Sequence, residues 1–366
     1  MLTIGSTLTI FLILGISSLA LFWAKRIGLP HTVLLVLIGI GLGLLSYTQT
    51  FSFFGEFTLT PALLFYLLLP TLIFESAYNI NARRMVEDAP IILILSIIGL
   101  IVSTVVIASG LYYLLALFGI SIPFMIALLF GALISATDPV AVLALFKEYG
   151  APRRLSLIFE GESLFNDATA VALFLILLEV ARFGYHGFDT VIEGVATFTS
   201  MLVGGVIFGI LVGGIFAKVV GWSRENEIAS ITLTIVLAHI TFIMAELLSH
   251  HMVIGGFHIL LSPIIATTVA ALLMGNYGRS KIHPRAEEFV EKLWGQLAFW
   301  ANSLIFILIG VLFVDIPSLS REMIGVVLLT IVVVAIARAI SIYPVVGVFN
   351  LFTKKETRVP MSWQHL

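Results

Sequence analysis

The chain has 366 residues, of which 60% are apolar and only 11% charged, with a mean hydropathy of +1.14. So little polar surface could not cover a soluble domain of this size, so the composition predicts an all-α polytopic membrane protein. The net charge of −2 identifies no partner, no basic surface for nucleic acid is present, and the absence of Cys excludes disulfides and cysteine metal sites.

Eleven hydrophobic stretches of spanning length have centres at about residues 14, 39, 68, 104, 133, 169, 205, 238, 264, 304 and 336. The first, residues 1–24, is followed rather than preceded by positive charge, at Lys25 and Arg26. It therefore reads as a spanning helix and not as a cleaved signal peptide. Lys25, Arg26, Arg83, Arg84, Lys147, Arg153, Arg154, Lys218, Arg224, Arg279, Lys281, Arg285, Lys292, Lys354, Lys355 and Arg358 all fall in alternate loops. Arg182 and Arg321 fall in the opposite set, and Arg338 falls inside a span. The positive-inside rule then places the N-terminus outside and residue 366 on the cytoplasmic side of the cell membrane.

In the second span, Gly39 and Gly43 are four residues apart, as are Gly205, Gly209 and Gly213 in the seventh. Small residues at this spacing let helices approach closely, either within one bundle, which is the simpler reading, or at a dimer seam. The third span holds Glu75 in Leu69-Pro70-Thr71-Leu72-Ile73-Phe74-Glu75-Ser76. Glu75 lies towards the cytoplasmic end, where it either joins an ion site or is solvated at the interface.

The fifth span contains Thr137-Asp138-Pro139. Proline lacks the backbone donor and disfavours helical geometry at the residue before it, so the triplet predicts a broken helix. Such breaks free backbone groups that transporters use to hold ions. A plain kink with Asp138 capping the next half-helix is the simpler account. Against it stands the cost of an acid in a span, about 2.5–3.5 kcal/mol or more.

The sixth span reads Glu160-Gly161-Glu162-Ser163-Leu164-Phe165-Asn166-Asp167-Ala168. Ser163 and Asp167 share one helix face, and Glu162 and Asn166 share the adjoining one. Asp167 and Ser163 make an oxygen-rich corner suited to Na⁺. Glu162 needs a buried partner, and Arg338 is the one basic residue inside a span; with Asn166 between them all three groups are satisfied. Glu160 lies near the helix end and simply reaches water. In the eighth span, His239 and Glu246 read more cheaply as a packed histidine and an interfacial acid than as a proton relay. His250 and His251 lack further ligands for a metal.

Leu69–Ser76, Ala136–Val142, Glu160–Ala168, Met274-Gly275-Asn276-Tyr277-Gly278-Arg279 and Ala301–Gly310 together resemble the sodium/proton antiporters of the NhaP and NHE type. The similarity runs from about residue 60 to the end and includes some likeness to plant plasma-membrane sodium exporters. It implies a fold of thirteen helices in two inverted repeats, broken at Thr137–Pro139. Interface-domain helices would occupy 1–80 and 188–315, core-domain helices 88–181 and 320–352, and a cytoplasmic loop 353–366. It also implies that Asp167 is the exchanged-ion carboxylate, that Ser163, the Thr137 main chain and Asp138 complete a Na⁺ site with Glu75 contributing, and that Glu162, Asn166 and Arg338 form a structural network. Electroneutral exchange and a homodimer follow from the same likeness, as do roles in pH homeostasis and salt tolerance. Two more helices are expected beyond Leu366, one of them crossing the broken fifth. The sequence thus looks cut short, and eleven helices alone are not expected to transport.

The expected mechanism is competition of H⁺ and Na⁺ (or Li⁺) for Asp167, with alternating access and no cofactor or enzymatic step. K⁺/H⁺ exchange and a non-transporting protein that keeps the fold are the alternatives. An intramembrane aspartyl protease would need paired carboxylate motifs (a Tyr-Asp and a Gly-x-Gly-Asp) that are absent.

Overall fold

The computed structural model describes residues 3–185, 187–251, 253–254, 257–258, 260–314, 316, 321–354 and 358–364. Lys355 lies outside the described residues, as do the side chains of Lys25, Lys147, His250 and Arg321. Apart from a two-residue antiparallel pairing of Val253–Ile254 with Phe257–His258, the described regular structure is helical.

A helix occupies each predicted stretch. The first span is Ile4–Ile27, begun by the Thr3 hydroxyl, which accepts the Ser6 N–H at 3.0 Å, and ended by Gly28 at φ 73°. The second is His31–Ser46, the third Pro61–Tyr78 and the fourth Ala89–Leu117. The fifth is divided into Phe124–Ser135 and Val140–Tyr149. Arg153–Phe183, Phe188–Trp222 and Glu227–His251 form the sixth to eighth. The ninth is Pro263–Leu273, continued by a π-helical turn over Met274–Gly278. Pro284–Val314 and Arg321–Phe352 are the tenth and eleventh. Eight of these helices are long and apolar enough to cross a membrane, while His31–Ser46 and Phe124–Ser135 are apolar but shorter.

The ninth helix starts later than its hydropathy suggests. The stretch centred near 264 begins its helix only at Pro263, where Ser262 accepts the Ile265 N–H at 3.3 Å and proline occupies the first turn. Leu261 and Ser262, just before it, are buried, and Ser262 is extended at φ −84° and ψ 114°.

The helices pack in two groups. The second crosses the tenth, and the third, seventh and eighth surround the ninth. A buried cluster holds this group, with Trp294 fully enclosed and its ring 4.3 Å from that of Phe74. The other group joins the fourth to the fifth, sixth and eleventh. The sixth also touches the third, seventh and ninth, so it forms the seam between the groups. Gly205, Gly209 and Gly213 are buried against the ninth helix, and Gly39 and Gly43 against the tenth. Both glycine stripes therefore serve packing inside the chain.

Candidate functional site

The fifth span is interrupted where its sequence predicts. Ser135 ends the first half-helix, Ala136 is extended at φ −67° and ψ 136°, and Pro139 precedes the second half-helix at φ −86°. A ladder that would otherwise be continuous is open over Ala136–Pro139, in an otherwise apolar span. Two hydroxyls steady the edge of the break. Thr104 donates to Ser135 Oγ at 3.2 Å, and Ser135 donates to the Gly131 carbonyl at 2.6 Å.

The sixth helix packs beside this break and carries Glu162, Ser163, Asn166 and Asp167 on consecutive turns. Asn166 Nδ2 donates to Thr137 Oγ1 at 3.3 Å and to Glu162 Oε1 at 3.2 Å. Arg338 Nη2 donates to both Glu162 oxygens, at 2.8 and 2.9 Å. Glu162 is only 5% exposed and Asn166 1%, so the arginine neutralises an acid with almost no access to water. Ser96 of the fourth helix donates to the Glu162 carbonyl at 3.2 Å. Thus the fourth, fifth, sixth and eleventh spans meet in one polar network at mid-helix.

Asp167 lies one turn beyond buried Ser163 and is itself exposed. The Thr137 side chain is joined to the sixth helix through Asn166, whose Oδ1 is buried with no protein partner. Asn166 thus joins Thr137 at the break to Glu162, and Ser163 and Asp167 lie on the same stretch of the sixth helix. Glu75 is half-buried on the third helix, where its Oε1 accepts from Asn79 Nδ2 at 3.5 Å. His239 donates from Nδ1 to the Ile235 carbonyl at 2.9 Å in its own helix, as a packed histidine does. No group of three or more metal-ligating side chains occurs among the described residues.

Sequence reasoning missed Ser96, Thr104 and Ser135. Lone hydroxyls in apolar helices commonly bond back to their own backbone, so spacing alone does not mark them. The π-helical turn at Leu95–Gly99, which contains Ser96, is the structural sign that this point of the fourth helix is special.

A broken span with an acid at the break, crossed by a helix bearing a second acid and a buried ion pair, defines a secondary-transporter fold. Residues 9–365 match the family described as sodium/hydrogen exchanger, transmembrane, and the chain belongs to that family. It is 34% identical to the Na⁺/H⁺ antiporter ApNhaP of Aphanothece halophytica over 358 residues, covering 96% of this chain and 61% of that protein. It is 29% identical to the Na⁺/H⁺ antiporter NhaH of Halobacillus dabanensis over 362 residues, covering 97% and 84% of the two chains. Its fold matches that of the sodium proton antiporter MjNhaP1 from Methanocaldococcus jannaschii with a TM-score of 0.71 at 17% identity, over 95% of this chain and 79% of that one.

Proposed function

We propose that the protein exchanges Na⁺ or Li⁺ for H⁺ across a cell membrane, with Asp167 as the group for which cation and proton compete. The observation that carries this is the hydrogen bond from Asn166, the residue before Asp167, to Thr137 Oγ1 in the open backbone at Ala136–Pro139. Family membership and relatives named as Na⁺/H⁺ antiporters support the choice of ions. One carboxylate cannot hold a proton and a cation together, so each passage carries one or the other. Alternation between two faces then makes the net result an exchange. In this proposal Ser163, Asp138, the Thr137 main chain and Glu75 complete the cation shell, and Glu162, Asn166 and Arg338 hold the frame. The exchange is electroneutral and uses no cofactor. Residues 1–80 and 188–315 form the stationary, dimer-forming part, and 88–181 with 320–352 form the moving part. The N-terminus lies outside, in keeping with the alternation of Lys and Arg between loops.

The test uses the full-length protein in inside-out vesicles with an acidified lumen and added Na⁺, Li⁺ or K⁺. Luminal alkalinisation is expected with Na⁺ and Li⁺, and its loss in Asp167→Asn. Unchanged exchange in that variant rejects the role of Asp167, and a response to K⁺ alone rejects the choice of ion.

A further inference from the structure

Residues 358–364, after the eleventh span, lie against the bundle, and Asn350 fixes them there. Its Nδ2 donates to the Val359 carbonyl at 2.9 Å while its Oδ1 accepts the Val359 N–H, also at 2.9 Å. Val359 then shares one buried cluster with Ile91 of the fourth span, Ile158 of the sixth and Val346 of the eleventh, with Trp363 packed against it. Arg154, in the first turn of the sixth helix, closes over this cluster. Its Nε and Nη2 donate to Asp88 Oδ1 at 2.9 and 2.7 Å, and its Nη1 donates to the Arg358 carbonyl at 3.4 Å. The guanidinium also lies 5.9 Å from the Trp363 ring. Asp88 is buried and directly precedes the fourth span. One side chain therefore ties the start of the fourth helix, the start of the sixth and the strap that follows the eleventh.

The same three helices are tied again deeper in the bundle, through Ser96, Glu162 and Arg338. Asp88 to Ser96 and Arg154 to Glu162 are equal steps along their helices, about 12 Å at 1.5 Å per residue. A single tie leaves a pivot, whereas two ties at different heights hold three rods in fixed relation. At Arg154–Asp88 two guanidinium nitrogens meet one carboxylate, Nε also reaching Oδ2 at 3.2 Å, which fixes orientation as well as distance.

We propose that Arg154 is a positioning residue for exchange: through Asp88 and the Arg358–Gln364 strap it makes the fourth, sixth and eleventh spans move as one body. Asp167 then keeps its place against the Ala136–Pro139 break while the body moves. This rests on the exchange function proposed above. It also separates Arg154 from an ordinary surface charge, although it borders a cavity of about 690 Å³ that Arg84, Arg153 and Glu160 also line.

The chain has no Cys, so introduced thiols report without background. The full chain in proteoliposomes is compared with Arg154→Ala and Arg154→Lys. Arg154→Ala is expected to slow maximal exchange about tenfold with less than a twofold change in KM for Na⁺, and Arg154→Lys to fall between. Labelling of Val359→Cys by a small thiol reagent is expected to quicken at least tenfold when Arg154→Ala is added. The deciding arm joins Ile158→Cys to Val359→Cys with a short bifunctional reagent in the Arg154→Ala background. Restored exchange on joining supports the proposal, because the link replaces the tie and not the charge. Joining that forms without restoring exchange overturns it, as does inhibition when the same link is made with Arg154 present. A wild-type chain without any exchange overturns the functional reading instead, and the labelling arm still reads whether Arg154 holds the strap.

Discussion

At the scale of single residues, Arg338 and Glu162 make the sharpest case. Glu162 is 5% exposed and accepts two hydrogen bonds from Arg338, so removing either partner strands a charge in a low-dielectric interior. Arg338→Met is expected to cost about 3–5 kcal/mol by that argument. The double variant Glu162→Gln, Arg338→Met removes both charges together and is expected to lose much less than the sum of the two singles. Thermal unfolding in detergent checks this; additive losses would mean that the two groups do not share one pair energy. Asn166 ranks beside them because its single amide nitrogen serves Thr137 and Glu162 at once, coupling the break to the ion pair.

At the scale of helices, the crossing of the second and tenth spans depends on backbone approach. A Cβ added to Gly39 would lie 2.9 Å from Gly310 Cα and closer still to the Ile307 carbonyl, and neither is a flexible side-chain end. Gly41, two residues on, has nothing within 4 Å of the same position. Gly39→Ala is therefore expected to destabilise by about 1–3 kcal/mol, the usual overpacking range, while Gly41→Ala stays within about 0.5 kcal/mol. Equal melting temperatures for the two variants would remove the crossing as a source of stability. The break in the fifth helix was legible in the sequence because proline acts locally, through a missing donor and a clash. The Glu162–Arg338 contact was legible because a span offers a buried acid so few basic partners. Asp88 and Arg154 were not, since each looks like an ordinary loop charge until the strap folds over them. Nor was the late start of the ninth helix, because hydropathy records burial and not backbone conformation.

At the scale of the whole molecule, the two helix groups meet chiefly along the sixth span. There Ala172 of the sixth and Ile265 of the ninth line one small gap, with Ala168, Thr169, Met201 and Ser262. Exchange by alternating access requires the group holding Asp167 to shift against the other, and packed apolar seams slide at less cost than hydrogen-bonded ones. The ties within the group proposed to move are ionic, at Arg154–Asp88 and Arg338–Glu162, whereas this seam is built mainly from Ala, Ile, Leu, Met and Phe, with Thr169 and Ser262 beside them. That difference in bonding predicts where motion is permitted. Ala172→Cys with Ile265→Cys, oxidised to a disulfide, is expected to drop exchange to the background of empty vesicles, and a reductant to restore it. Exchange that continues with the disulfide formed would place the moving boundary elsewhere, and the division of the bundle along the sixth helix would have to be redrawn.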